Sequence, residues 1–598
     1  MNSMNNHPDR QSGPSTRDGS APDLDLIVVG AGLAGIYMLY KAQTMGLRVK
    51  AFEAGSGVGG TWYWNRYPGC RVDARSALYS YSFSEELEQD WNWSELFATQ
   101  PELETYCNHV IDRFGLRSSI TFDTSIASAT FDEGTDTWRV VSEHGDSLTS
   151  RFIVLATGGF GVPVFPDIPG RESFAGEVYH TGRWPDESVS FAGKRVGLIG
   201  TGASGNQVVT AVSNKPVEGL FVFHRTPHYC LRERNQLTDP EYDRVFKEQY
   251  RPFRKKTHNA PQGGTYPAPD PLPDPFGPSP GFGPVGDLND ADFSRRVWDL
   301  WGRGTHALLT NITDLGKPPV NRRVADFLRD RVRELVHDPN VAEVLCPKRD
   351  ELIGGRRVLL ASNYLEAFNK QHVHLVDIKA APIAEIDAAG VRTSEKHYDL
   401  DTLIFATGFD TGTGSMLAID IVGRGGVSLA SKWRNGPTTY LGLLIAGFPN
   451  MFMIAQAGSP GIRSQMMNSI EQHVEWISRF VADARTDQAR AVEAAPEAEQ
   501  AWTEHVAEVA SRNAIVSGDS PYWGSNIPGK PRVFLSYVGG VGPYRSICDA
   551  VRERGYEGIV IRGDGWVKNV GTTWSGPEPT GASGEVLGGY YSVALAAL

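Results

Sequence analysis

Asp25-Leu26-Ile27-Val28-Val29-Gly30-Ala31-Gly32-Leu33-Ala34-Gly35 decides the fold. A β-branched apolar run passes directly into a G-x-G-x-x-G turn and then into a helix-compatible stretch, the strand, tight turn and helix order of a dinucleotide-binding unit. Gly30 permits the turn, Gly32 lets the backbone approach a pyrophosphate, and Gly35 lets helix and strand pack closely. The helix N-terminus then offers N–H groups and the positive end of its dipole to the anion. Val49-Lys50-Ala51-Phe52 reads as the second strand, with Glu53 at its end, where a carboxylate accepts both hydroxyls of an adenosine ribose. A merely structural Gly-rich turn would leave Glu53 unexplained.

The construction recurs at Arg195-Val196-Gly197-Leu198-Ile199 followed by Gly200-Thr201-Gly202-Ala203-Ser204-Gly205. Here the second strand, Leu220-Phe221-Val222-Phe223, ends in His224-Arg225-Thr226 instead of an acid. A guanidinium pairs with a ribose 2'-phosphate where a carboxylate would repel it. The acid-ended site therefore suits FAD and the base-ended site NADPH; the alternative for Arg225 is a solvated charge at a strand end. Two further apolar strands end alike, Leu155-Ala156-Thr157-Gly158 and Phe405-Ala406-Thr407-Gly408. Small residues there let the chain cross close to a cofactor, and the pair marks where it passes between a discontinuous FAD domain and an inserted NADPH domain.

The rest of the composition excludes other classes. The 598 residues carry a formal net charge of -12 with 40% hydrophobic residues, an ordinary globular balance for two to four domains. No basic stripe is present to neutralise a nucleic acid. Five scattered cysteines, Cys70, Cys107, Cys230, Cys346 and Cys548, offer neither a disulfide framework nor a redox pair, which suits a reducing cytoplasm and argues against a disulfide reductase. No metal site and no membrane span are expected: Leu26 to Tyr40 is too short, and the uncharged stretch after Arg434 is broken by Pro449-Asn450.

Between the two turns lies Phe174-Ala175-Gly176-Glu177-Val178-Tyr179-His180-Thr181-Gly182-Arg183-Trp184-Pro185. With this F-x-G-x-x-x-H-x-x-x-W-P pattern the sequence resembles the class I, FAD- and NADPH-dependent Baeyer–Villiger monooxygenases, and Trp184-Pro185 separates it from the N- and S-oxygenating flavin monooxygenases. The resemblance spans about 24 to 562. It implies an NADPH-dependent enzyme that inserts one oxygen of O2 beside a ketone carbonyl, giving an ester or lactone. It further implies that Thr61, Trp62, Tyr63, Trp64, Asp73 and Tyr79 contact FAD and that Arg71, Val72 and Asp73 lie beside the nicotinamide. Thr201, Gly202, Ala203, Ser204, Gly205, Asn206 and Gln207, with Arg225 and Thr226, are implied to hold NADPH. Arg356 stands where a 2'-phosphate ligand, often Lys, is found. Arg357 matches the active-site arginine, with Asp73 orienting it, and Met466, at the end of the segment resembling the substrate-pocket loop, is implied to contact the cofactor. His180 reads as a linker coupling cofactor binding to domain motion. Arg357 cannot lose its proton, so it suits stabilisation of oxyanion charge in a site that excludes water; its plain alternative is a surface ion pair.

Three departures bear on substrate. Pro261 to Pro284 holds nine prolines, too dense for a helix, and reads as a polyproline-like surface loop. Trp523 stands two positions after the Trp usual in relatives, so it either replaces that contact with nicotinamide and substrate or the contact is lost. Arg463 occupies a commonly apolar pocket position. Either it binds a substrate carboxylate, or it turns to solvent or a cofactor phosphate. Within the family the chain resembles lactone-forming enzymes of pentalenolactone-type sesquiterpenoid pathways, which implies a cyclic, acid-bearing terpenoid ketone in antibiotic biosynthesis.

The expected architecture is α/β with two dinucleotide-binding, Rossmann-like domains. A disordered arm (1–23) precedes the first FAD-binding segment (24–170). An NADPH-binding domain (171–385) with a helical, Pro-rich insert (232–345) follows, then the second FAD-binding segment (386–562) and a flexible tail (563–598). The rivals are an N- or S-oxygenating flavin monooxygenase and a non-catalytic flavin-bound redox sensor.

Overall fold

The computed structural model describes residues 21–259, 281–460, 465–512, 521–571 and 574–576. Strand β1 (Leu24–Val29) pairs in parallel with β2 (Val49–Phe52), Val28 opposite Ala51, and β2 pairs with β3 (Ile120–Thr121). The antiparallel pair β4 (Ile126–Asp132) and β5 (Thr137–Ser142) leads to β6 (Ser147–Leu155), which returns parallel to β1 with Val154 opposite Val28. Both faces of β1 are covered, so its sequence is continuously apolar rather than alternating. Leu26 and Val28 pack toward the helix Leu33–Thr44, whereas Ile27 and Val29 pack with Trp138, Ile153 and Met451.

The chain then builds a second parallel sheet from β7 (Glu177–His180), β8 (Arg195–Ile199) and β9 (Gly219–His224). Strand β10 (Cys230–Arg232) leads into six helices between Pro240 and Leu345, counted among the described residues, and β11 (Leu359–Ala361) returns parallel to β10. Next come β12 (Val373–Asp377), the meander β13 (Ile383–Asp387), β14 (Gly390–Thr393) and β15 (His397–Asp399), and β16 (Thr402–Phe405). The second sheet runs β12-β9-β8-β16-β7. Returning, the chain adds β17 (Asp420–Val422) beside β4 and β18 (Met451–Met453) beside β6, then the long helix Met466–Thr486. It ends in the small sheet β19 (Ala491–Ala494), β20 (Ile559–Gly563) and β21 (Trp566–Asn569).

Three expected boundaries move. The return to the first unit does not fall at 386: β16 is inserted between β8 and β7, with Leu403 opposite both Gly197 and Val178, so the second unit runs on through Phe405. The tail does not begin at 563, because β21 pairs with β20 and Trp574 is buried. The arm is tied down at Asp23, whose carboxylate accepts from the Thr149 amide and hydroxyl, both at 2.8 Å. The Pro-rich stretch from 261 to 280 lies outside the described residues.

The chain leaving the first small-residue strand end runs beside the second. Pro163 bridges Phe409, the Val164 amide donates to the Gly408 carbonyl at 2.9 Å, and the Asp410 amide donates to the Val162 carbonyl at 2.9 Å. All five cysteines are buried thiols. Among the described residues no helix is long and apolar enough to cross a membrane.

Candidate active site

At the first turn Gly30 adopts φ 103°, and a Cβ there would meet the Ala156 carbonyl at 2.6 Å. The turn is thus moulded on the small residue that ends β6. Gly32 caps the helix Leu33–Thr44 without a side-chain bond, leaving its first N–H groups to an external acceptor. Glu53 is buried at the end of β2 and accepts from the amides of Ala31 at 2.7 Å and Gly55 at 2.9 Å. Burial pushes its pKa up and those two bonds oppose the rise; the carboxylate oxygens retain lone pairs for ribose hydroxyls.

Thr61–Trp64 forms a single helical turn after Gly59 and Gly60. Tyr63 shares a 2.7 Å hydrogen bond with Ser56. Trp62 Nε1 donates to the Tyr79 hydroxyl at 3.3 Å, with the rings edge to face at 5.5 Å. Arg183 lies over the Trp64 ring at 4.4 Å, and the Trp184 amide donates to the Trp64 carbonyl at 3.3 Å. The W-P motif is therefore fastened to the expected flavin loop. His180 accepts from the Gly182 amide at 2.9 Å and faces Thr407 at 3.4 Å. Burial lowers its pKa to about 4, against the Val164 carbonyl, so it is neutral at ordinary pH.

The second turn repeats the first. Gly200 takes φ 105°, and Gly205 packs on Gly200 and Ala406 as Gly35 does on Gly30 and Ala156. Gly202 begins the helix Ala203–Val212, which includes Ser204, and a Cβ on Gly202 would meet nothing within 4 Å. This open approach to a helix N-terminus fits a pyrophosphate. Thr201 shares a 2.7 Å bond with His224, whose pKa burial lowers to about 4. Arg225 and Thr226 follow β9, the former exposed. Asn206 donates to the Leu360 carbonyl at 3.4 Å. Gln207 accepts from Tyr67 at 2.8 Å and donates to the Arg71 carbonyl at 3.1 Å, so its amide joins the two nucleotide units.

Arg357 forms an ion pair and hydrogen bond with Asp73, across 284 positions of sequence. Their side chains are 42% and 32% exposed, so the pair is partly accessible. Burial pushes the Asp73 pKa up, but Arg357, helped by His306, outweighs it and holds the carboxyl below its usual value. His228 bonds the Arg357 carbonyl at 3.1 Å and fixes the backbone. Arg356 pairs with Glu351 at 3.4 Å, Arg71 pairs with Glu95 at 3.2 Å, and Val72 is buried. Met466 opens the helix Met466–Thr486, capped by Gln465. Arg463 lies outside the described residues. Trp523 packs edge to face on Phe534 at 5.2 Å in a small cluster with Ala510 and Val538.

Two site residues escape sequence reasoning. His306, just before the helix Ala307–Asn311, interacts electrostatically with both Asp73 and Arg357, its pKa lowered by burial. Glu233 lines a 620 Å³ cavity along the helix Ala203–Val212, shared with Arg71 and Gln207 but including neither Asp73 nor Arg357. Burial raises Glu233 to about 7; Arg71 opposes the rise, and Asp73 and Glu95 add to it. Neither belongs to a motif; their sequence signal is nil, because long-range packing brings them in, for Glu233 the pairing of β10 with β11.

Residues 24–261 match the family described as "FMO-like: Flavin-binding monooxygenase-like". The chain is 37% identical over 91% of its length to the whole of an acetone monooxygenase (methyl acetate-forming) from Gordonia sp. (strain TY-5). It is 36% identical over 92% of its length to 98% of the phenazine N-monooxygenase PhzNO1 of Lysobacter antibioticus. Its fold matches the crystal structure of cyclohexanone monooxygenase from Rhodococcus sp. Phi1 bound to NADP+ with TM-score 0.86 and 36% identity, over 90% of this chain and 99% of that one. Two Rossmann-like sheets, the W-P motif seated on the expected flavin loop and these likenesses together show that the chain is a monooxygenase belonging to the class I Baeyer–Villiger family.

Proposed function

We propose that the protein binds FAD at the Gly30–Gly35 turn and NADPH at the Gly200–Gly205 turn, and inserts one oxygen atom of O2 beside the carbonyl of a cyclic, carboxylate-bearing terpenoid ketone to give a lactone. The observation that carries the reading is the Asp73–Arg357 ion pair, which joins the expected flavin-contacting segment to the segment after the helical insert with both side chains partly exposed. Bound flavin reduced by NADPH supplies the electrons and the activation of O2.

The chain's own residues do the rest. The helix ends at Gly32 and Gly202 receive the two pyrophosphates, Glu53 the ribose of FAD, and Arg225 with Arg356 the 2'-phosphate of NADPH. Arg357 is the permanent cation toward which negative charge on oxygen develops during ketone attack. A preorganised donor of that kind is worth roughly 3 to 4 kcal/mol. Asp73 holds the guanidinium in place and balances its charge. The acid-bearing, terpenoid aspect of the reading rests on Arg463 in the substrate loop and on the resemblance to pentalenolactone-type enzymes.

The test is anaerobic reduction by NADPH, then air and a panel of cyclic ketones, matched keto acids and keto esters, with mass-spectrometric detection of one added oxygen. Oxygen insertion into ketones, with the acids preferred and the preference lost in Arg463→Ala, is the expected result. Flavin that NADPH fails to bleach, or ketones recovered unchanged, would remove the reading. The likeness to a phenazine N-monooxygenase favours a second one, oxygenation of an aromatic ring nitrogen, so phenazine belongs in the panel.

A further inference from the structure

One helix of the insert reaches out of its own unit and grips the flavin side of the site. Tyr250–His258 presents Arg254 and His258 four residues apart, hence on one face. Arg254, only 3% exposed, donates to the carbonyls of Ala77 and Leu78 at 3.0 Å each, and to the carbonyl and hydroxyl of Ser80 at 2.7 Å each. These bonds straddle Tyr79, the partner of Trp62. His258 Nε2 stands 3.2 Å from Glu471 Oε2, on the helix whose first residue is Met466. Glu471, 1% exposed, also accepts from the Ser82 hydroxyl at 2.6 Å. Gln465, the cap of that helix, donates to the same Leu78 carbonyl that Arg254 holds.

A buried guanidinium spread over three carbonyls of another unit is an expensive way to secure mere packing, since an apolar side chain of similar volume would avoid its desolvation. What the guanidinium adds is direction: it fixes the 77–82 turn at several atoms at once. We propose that Arg254 and His258 are positioning residues. By locking the insert to both the Tyr79 turn and the start of the Met466–Thr486 helix, they hold the flavin wall and the substrate wall at one spacing, which keeps water out and directs electrons into substrate oxygenation. The inference rests on the oxygenating chemistry proposed above but names no ketone.

When the spacing loosens, reducing equivalents leak by NADPH + H+ + O2 → NADP+ + H2O2, in which NADPH is oxidised and both oxygen atoms are reduced to peroxide. The experiment measures this leak per bound FAD in air without any ketone, beside the anaerobic rate of flavin bleaching by NADPH. Arg254→Lys and His258→Leu are expected to raise the leak about three- to tenfold while FAD content and the bleaching rate stay at parental values. His258→Gln, which keeps a donor, restores the parental leak. A parental leak in both variants overturns the proposal, and so does a leak that moves only in proportion to lost FAD and a lowered thermal midpoint. Should Arg254→Lys fail to fold, Ser80→Ala removes one acceptor of the same clamp and is judged with His258→Leu by the same ratio. Because no ketone enters the assay, its failure is distinct from failure to oxygenate ketones.

Discussion

Arg357 is ion-paired with the Asp73 carboxylate, and its backbone carbonyl is held by His228. Replacing it tests the oxyanion role directly. Arg357→Met is expected to lower oxygenated product by about 10²- to 10³-fold, while NADPH still bleaches the flavin without air; stopped-flow absorbance and product analysis check the two halves separately. At the other end of the cofactor, Arg225→Ala should raise the KM for NADPH about 10- to 100-fold and leave that for NADH nearly unchanged, a difference that steady-state kinetics with both coenzymes reads. Glu53, Asp73 and Arg357 are legible in the sequence because each sits at a fixed step from a glycine turn or in a motif. His306 is not, since only tertiary packing brings it to the pair, and no spacing encodes a contact of that kind.

Among elements, the two β-turn-helix units are plain in the sequence because their chemistry is local: an apolar run, a glycine at positive φ and a helix start. Their tolerance is correspondingly small. A Cβ on Gly35 would lie 1.8 Å from the Gly30 carbonyl, so Gly35→Ala is expected to give protein without FAD, checked by the flavin absorbance of the purified variant. Strand β16 shows where such reading stops. Its Phe405-Ala406-Thr407-Gly408 ending matches that of β6, and the match announces a crossing without saying on which side of it the strand lies. Insertion between β8 and β7 is a matter of long-range pairing. The same holds for β21, a four-residue strand in a stretch that reads as a loose tail until β20 is beside it.

At the scale of the whole molecule, the insert and the first unit meet around a carboxyl that titrates in the useful range. Glu88, buried on the short helix Glu85–Asp90, is raised by burial to about 7 against the pull of Arg254 and Arg251, with Glu471 and Glu85 adding to the rise. A carboxyl held above its unfolded value favours the folded state while protonated, and that contribution is lost as pH rises from about 4.5 toward about 7. Glu88→Gln should therefore melt a few degrees, about 2–4 °C, above the parent at pH 8 and show no such gain at pH 4.5, as scanning calorimetry can record.

The bonds among Val162, Pro163, Val164, Gly408, Phe409 and Asp410 carry a consequence for engineering and descent. A guest whose entrance and exit share one doorway is a cassette: a homologous stretch can be grafted in at two adjoining covalent seams, provided that it keeps the partners of Tyr67, Asp73 and the 77–82 turn. Exchange of the span between 164 and 408 among relatives should thus transplant coenzyme preference while the host keeps its flavin.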